Sequence, residues 1–133
     1  MNAHLAVQGI LAADSGYISA AGSGARVFYD EVDQKTQLPF SIVMLDDSNP
    51  NDTKDGVSTL DFDMVYVTHF GETMKTTAAL ASAARTALDR KSGTYNTVVV
   101  ESIQYQSQRT GSEQLVDKKT HTIEQLYQVM TKQ

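Results

Sequence analysis

The chain of 133 residues contains no cysteine and no tryptophan, only two prolines and only three histidines. Without cysteine there is no disulfide, no thiolate zinc site and no cysteine nucleophile, and the redox compartment leaves no mark on the sequence. The N-terminus, Met1-Asn2-Ala3-His4-Leu5-Ala6-Val7, lacks a basic region followed by a long apolar run, and no apolar stretch reaches membrane-spanning length. An aqueous compartment with no membrane partner is the expectation. Excess positive charge is absent as well. The formal net charge is −5, so there is no basic stripe with which to neutralise phosphates, and sequence-directed nucleic-acid binding is disfavoured.

What is present suffices for one core. Hydrophobic residues make up 41% and charged residues 20% of the chain, and the length is that of one domain, so residues 1–133 read as a single folded unit. The core has to be built from Val, Ile, Leu, Met, Tyr, Phe and many Ala. Such a core is modest at this length, which favours stabilisation by self-association.

Leu5, Val7, Ile10 and Leu11 recur at near-helical spacing and run into Ala12-Ala13-Asp14-Ser15-Gly16, which predicts a short helix over 3–14. After the flexible Ala21-Gly22-Ser23-Gly24, Arg26-Val27-Phe28-Tyr29 reads as a short strand, and Phe40 to Leu45 as a strand apolar on both faces. Asp46 to Gly56 holds mostly turn-favouring residues and reads as a long exposed loop. Thr59 to Phe70 alternates as the longest strand, with Leu60, Phe62, Met64 and Tyr66 on one face and Asp61, Asp63, Val65, Val67 and His69 on the other. Glu72 to Arg90 is the clearest helix, with Met74, Ala78, Ala81, Arg85 and Leu88 along one side and Ser92-Gly93 as its stop. Thr94 to Ser107 and Thr120 to Thr131 return to strand character. Between them the polar segment Gln108 to Lys119 reads as a projecting hairpin tip, or as continued pairing that turns at Gly111-Ser112. The predicted order is α-β-β-β-α-β-β with one short and one long helix, an α+β fold with a mainly antiparallel sheet.

No constellation carries chemistry. Asp61, Asp63 and His69 share a strand face, but His69 lies roughly 20 Å from Asp63 at ~3.3 Å per residue, too far for one ion. A solvated or interface-facing stripe is the simpler reading. Asp47, Asn49 and Asn51 alternate as in a calcium loop, yet Asp52 stands where the sharp-turn glycine belongs and Ser58 where the bidentate glutamate belongs. Asn51-Asp52-Thr53 matches a glycosylation sequon by chance. His4, His69 and His121 have no nucleophile or paired carboxylate at suggestive spacing, so surface or satisfied core positions are expected. Arg85, Arg90 and Lys91 suit the negative end of a helix dipole without any bound anion. The expectation is therefore no catalytic, cofactor-binding or metal-ligating residue, and no enzyme. The competing reading from another class is a small metal-dependent enzyme or ligand-binding domain, with its site under the loop at 46–58.

A succession of segments carries a resemblance: Val7-Gln8-Gly9-Ile10-Leu11-Ala12-Ala13-Asp14, Arg26-Val27-Phe28-Tyr29-Asp30, Leu38-Pro39-Phe40, and the acidic loop closing on Asp55-Gly56. The strand ending near Val67-Thr68 follows, and then Ala83-Ala84-Arg85-Thr86-Ala87-Leu88-Asp89 before Gly93. Taken in order along nearly the whole chain, these resemble the phage tail-completion, or tail-terminator, family. Many relatives carry a tyrosine-alanine step after the long strand, where this chain has Thr68-His69-Phe70-Gly71-Glu72.

The resemblance implies a structural virion protein of a long-tailed bacteriophage, assembled in the host cytoplasm and placed at the head-proximal end of the tail. It would form a ring with itself, typically of six, that stops the tail-tube protein at the right length and meets a head-completion or stopper protein. DNA would pass through the lumen without sequence-specific binding. A tail-tube or head-side connector subunit is the alternative within virion architecture. Candidate subunit or partner contacts are Asp46, Asp47, Asn49, Asn51, Asp52, Lys54 and Asp55 of the acidic loop, Arg85 of the long helix, and Arg109, Glu113, Asp117 and Lys118 of the hairpin tip.

The purified protein is expected to retain no stoichiometric metal, because no set of its side chains reaches ligand spacing on one element. One tightly held zinc, manganese or calcium per chain on elemental analysis would overturn this.

Overall fold

The computed structural model describes residues 2–22, 26–29, 38–50, 60–115 and 118–132, with the backbone alone at 47–50, 60, 112–115, 118 and 119. In chain order the elements are α1 (Ala3–Ala13), α2 (Ser15–Ala21), β1 (Val27–Tyr29), β2 (Phe40–Pro50), β3 (Leu60–Gly71), α3 (Met74–Leu88), β4 (Gly93–Tyr95), β5 (Val98–Leu115) and β6 (Lys118–Lys132). The strands form one six-stranded sheet in the order β1-β2-β3-β6-β5-β4, antiparallel except for the parallel pair β1 and β2. The fold is α+β, as expected from the sequence.

Four local expectations change. Asp14 ends α1 in an extended conformation and at the same time caps α2, its carboxylate accepting from Tyr17 N at 2.9 Å. What looked like a helix stop is thus also an N-cap, and Gly22, at φ 89°, closes α2. The expected strand from Thr94 is a separate hairpin: Tyr95 faces Val98 across Asn96 and Thr97, both at positive φ, as a two-residue hairpin turn requires. That turn docks on α1, where Asn96 Nδ2 donates to Leu5 O at 2.7 Å. A Cβ on Gly9 would come within 2.7 Å of Asn96 Nδ2, so only glycine admits this contact.

The third change lies in the expected loop at 46–56. Its first part continues β2, pairing from Asp47 with Met64 to Pro50 with Asp61 after a bulge between Leu45 and Asp47. Ladder pairing satisfies the backbone whatever the side chains, and the long β3 offers the template. Residues 51–56 of that loop lie outside the described residues. The fourth change is the hairpin tip. The ladder runs on from Gln108 with Gln125 to Leu115 with Lys118, and Gly111 sits inside it opposite Thr122. The chain therefore does not turn at Gly111-Ser112, and residues 116–117 lie outside the described residues.

All three helices lie on one face of the sheet. There α1, Tyr17 of α2 and α3 bury Val43, Val65, Val67, Val100, Ile103, Tyr127 and Val129. On α3 the buried stripe is Thr77, Leu80, Ala81, Ala84, Ala87 and Leu88, whereas Met74, Ala78 and Arg85 are exposed. The expected side shared Ala81 and Leu88 with this stripe but was rotated about one residue around the helix. Thr77 can face inward because its hydroxyl donates to Thr73 O at 2.8 Å, and because Gly71 leaves room for it: a Cβ there would come within 3.1 Å of Thr77 N. Among the described residues no element covers the opposite face. It carries the stacked pair Phe40 and Phe70, centroids 4.9 Å apart, then half-buried Ile42, Phe62, Met64, Tyr66, Leu126 and Met130, and the exposed Met44.

Leu88→Ala should cost about 2–5 kcal/mol in denaturant unfolding, since Leu88 is fully buried between α3 and the sheet. Met44→Ala on the bare face, at 46% exposure, should cost less than about 1 kcal/mol. Equal losses would show that the two sheet faces have been assigned wrongly.

Candidate functional site

The interior of the sheet holds a polar chain. Ser41 Oγ lies 2.7 Å from His69 Nδ1, and His69 Nε2 lies 2.7 Å from Gln125 Oε1. Gln125 Nε2 donates to Ala81 O at 3.1 Å and to Gln108 Oε1 at 3.3 Å, and Tyr127 OH donates to Gln125 Oε1 at 2.9 Å. These partners fix the amide with its oxygen toward the imidazole. The network therefore assigns the proton of His69 to Nε2, leaving Nδ1 to accept from the Ser41 hydroxyl. Burial holds the His69 imidazole far below its ordinary range, at about 4, despite the opposing hydrogen bond from Gln125.

A hydroxyl, an imidazole and an orienting amide in line invite a nucleophilic reading. Ser41, His69 and Gln125 are each 1% exposed or less, so no substrate reaches the hydroxyl, and the chain is a device of the core. Asp61, Asp63 and His69, expected as a solvated or interface-facing stripe, are likewise buried, because that face of β3 is the helix-bearing one. Asp63 Oδ2 accepts from Thr131 Oγ1 at 3.4 Å. Both nitrogens of His69 are occupied, so His69 is not available as a metal ligand. Among the described residues no three of His, Asp and Glu gather as a metal site.

The network reaches the surface at the β5 edge. Tyr127 packs edge-on against Tyr105, with centroids 5.8 Å apart, and Arg85 places its guanidinium 3.8 Å over the Tyr105 ring. Desolvation, with Tyr105 adding to it, pushes the Tyr127 phenol far up, so it stays a donor at every physiological pH. Asp89, at the end of α3, accepts from Tyr105 N at 3.2 Å, and Arg90 N donates to Ile103 O at 2.7 Å. The result is an open, rigid depression walled by Arg85, Arg90, Gln104 and Tyr105.

The other sequence-predicted residues fall into separate groups. Asp46 is exposed at the bulge of β2, and Asp47 and Asn49 follow on the same strand, opposite Met64 and Phe62. Asn51, Asp52, Lys54, Asp55 and Asp117 lie outside the described residues. Arg109 reaches across the hairpin to Glu124 at 2.9 Å, while Glu113 and Lys118 sit further out, opposite Thr120 and Leu115. The acidic group and Arg85 thus occupy opposite edges of the sheet, and the hairpin residues form a third surface. Sequence reasoning missed Glu124, Tyr105 and Arg90. Only a register assignment would have found them, because their roles come from cross-strand and helix-to-strand neighbours.

No family model matches the chain, and no curated protein matches it. Among solved structures it is similar to a chain in the virion of a native gene transfer agent (GTA) particle, with a TM-score of 0.68 and 17% identity over 98% of this chain and 94% of that one.

Stability should fall with acidification through the His69 range. The folded state keeps His69 neutral down to about 4, whereas the unfolded chain binds a proton near 6.5. The contribution is therefore complete above pH 6.5 and is lost progressively between 6.5 and 4, by roughly 3 kcal/mol in all. His69→Gln should flatten the decline of unfolding free energy over that window, whatever its own stability at pH 7. Parallel pH profiles for the two proteins would refute it.

Proposed function

We propose that the chain is a structural virion protein of a long-tailed phage or phage-like particle, one domain per subunit. In this reading it forms a ring of about six copies at the head-proximal end of the tail. The ring stops the tail tube and joins it to a head-completion protein, and DNA passes through its lumen. The observation that carries the reading is a likeness to a virion chain that spans nearly all of both chains.

Three physical features agree with a part that works by assembling. One sheet face carries apolar side chains with no described element over it, which is the state of a surface meant to be covered. The β5–β6 ladder runs past the end of β3, whose last pair is Gly71 with His121, through the pairs from Glu113 with Thr120 to Leu115 with Lys118. The one hydroxyl-imidazole pair that resembles catalytic machinery is sealed in the core. The candidate contacts of this reading are Asp46, Asp47 and Asn49 on β2, Arg85 on α3, and Arg109, Glu113 and Lys118 on β5 and β6, together with Asn51, Asp52, Lys54, Asp55 and Asp117, which lie outside the described residues.

The deciding measurement is mass in solution, alone and with tail-tube protein. A single closed ring supports the terminator reading, whereas an open-ended series of sizes points to a tube subunit and a monomer under every condition refutes both. The arm gives a second test. Replacing Gln114–Lys119 by Asn-Gly joins the cross-strand pair Glu113 and Thr120 in register and should leave the thermal midpoint within a few degrees, because the removed ladder pairs, Gln114 with Lys119 and Leu115 with Lys118, lie past the end of β3. Tails carrying this shortened arm should lengthen abnormally or fail to join heads in electron micrographs. Normal infectious particles would mean that the arm contacts nothing.

A further inference from the structure

We infer that neighbouring copies of this chain meet head to tail, with the basic corner at the β5 edge of one copy, Arg85 and Arg90, receiving the acidic β2 edge at Asp46 of the next. The inference rests on the ring reading above and names its seam.

The net charge of the chain is concentrated in one stretch of the sequence. Residues 30–55 contain seven carboxylates and two lysines, a net of −5, which equals the formal charge of the whole chain. The remaining nine carboxylates and nine basic side chains cancel. Of this stretch the described part is β2, next to β1 at one end of the strand order, with Asp46 exposed at the bulge. At the other end Arg85, Arg90 and Lys91 gather beside β5 with two carboxylates, Asp89, which accepts from Tyr105 N, and the exposed Glu101 of β5, so the corner keeps an excess of one positive charge. Arg90 makes no ion pair among the described residues, and its backbone is fixed by the bond to Ile103 O.

The two charged edges are level. Leu45 pairs with Val65, Val65 with Tyr127, and Tyr127 with Tyr105, and in the next row Asp47, Met64, Gln128 and Gln104 are aligned. Asp46 lies between these rows on β2, and Arg85 sits over Tyr105 in the first of them on β5. Within one subunit they are three strand spacings apart, about 14 Å, and on opposite edges, so they cannot meet. Rotation about an axis running along the strands brings the acidic edge of one copy to the basic edge of the next without any shift along the strands. Such a contact uses two different surfaces, and repeated rotation closes a ring.

Both edges are only partly paired by strands, although at the β5 corner Tyr105 N and Ile103 O are already taken by Asp89 and Arg90. β1 pairs only with Ser41–Val43 and β4 only with Val98–Val100, so among the described residues no strand lies beside β2 from Met44 on or beside β5 past Val100. The charges choose which edges approach, and like edges repel.

Charge reversal tests the seam by sedimentation velocity of the full chain at low and moderate salt. Asp46→Lys, Arg85→Glu and Arg90→Glu should each leave the thermal midpoint close to wild type and raise the concentration of half-assembly by about tenfold or more, since every seam then opposes like charges. The combined Asp46→Lys/Arg85→Glu chain should recover most of that loss, because each seam again joins opposite charges. Folded single variants that assemble as well as wild type would overturn the seam and leave the ring reading intact. So would single losses that the combination does not restore. A wild-type chain that stays monomeric throughout would remove the ring reading, and the seam with it.

Discussion

The orientation of one side-chain amide organises the centre of this protein. Gln125 accepts from His69 and Tyr127 through its oxygen and donates to Ala81 O of α3 and to Gln108 of β5 through its nitrogen. Through His69 the same amide fixes Ser41 on β2. Four strands and the long helix are therefore held by one fully used group, and displacing Gln125 deprives His69, Tyr127, Ala81 and Gln108 of a partner at once. Buried polar groups of this kind cost more to leave unmade than they contribute when made, which makes the network a specifier of register. A slip of one residue in β6 would turn Gln125 to the bare face and leave His69 without an acceptor.

This explains why the functional surfaces sit where they do. The network ends at Tyr127, Tyr127 packs on Tyr105, and Tyr105 carries Arg85. A surface cation is thus positioned by the same register that sets the core, and the exit of α3 is tied to β5 by Asp89 and Arg90. That corner contrasts with the hairpin side of β5 and β6, where the cross-strand pair Arg109–Glu124, still level with Thr68 of β3, has an exposed arginine and is worth at most about 1 kcal/mol. In the proposed ring, a stiff corner suits a seam that must repeat at a fixed angle, and an arm held only by its own ladder suits contact with a separate partner.

Much of the frame was legible because side-chain period and strand length report it directly. The alternation from Leu60 to Phe70 fixed the two faces of β3, and the alanine-rich run before Ser92-Gly93 marked α3. Which β3 face is buried was not legible, since Asp61, Asp63 and His69 look solvated until helices are known to lie over them. Asp14 hid α2 because an extended cap can end one helix and begin another. Asn96-Thr97 hid the β4–β5 turn because no glycine marks it, though both residues adopt positive φ. The polar composition of Asp46 to Pro50 suggested a loop, but hydrogen-bonded pairing to β3 asks nothing of side-chain polarity. Of the candidate contacts, sequence identified the residues; only register showed that Asp46 and Arg85 share one level at opposite edges.

An open sheet with two incomplete edges also needs protection from indiscriminate pairing. Three features supply it. β5 carries bulges at Val100/Ser102 and Tyr105/Ser107, which increase local twist and interrupt the outward ladder. Asp89 Oδ1 and Arg90 N occupy the outward groups of Tyr105 and Ile103, so a foreign strand finds them taken. The remaining edges carry opposite charge, which opposes approach between identical edges and leaves the unlike pairing favoured. Unlimited growth of stacked sheets would require flat, neutral, equivalent edges. These edges are twisted, charged and different from each other, a combination that in the proposed ring would select one neighbour on each side and fix the angle between them.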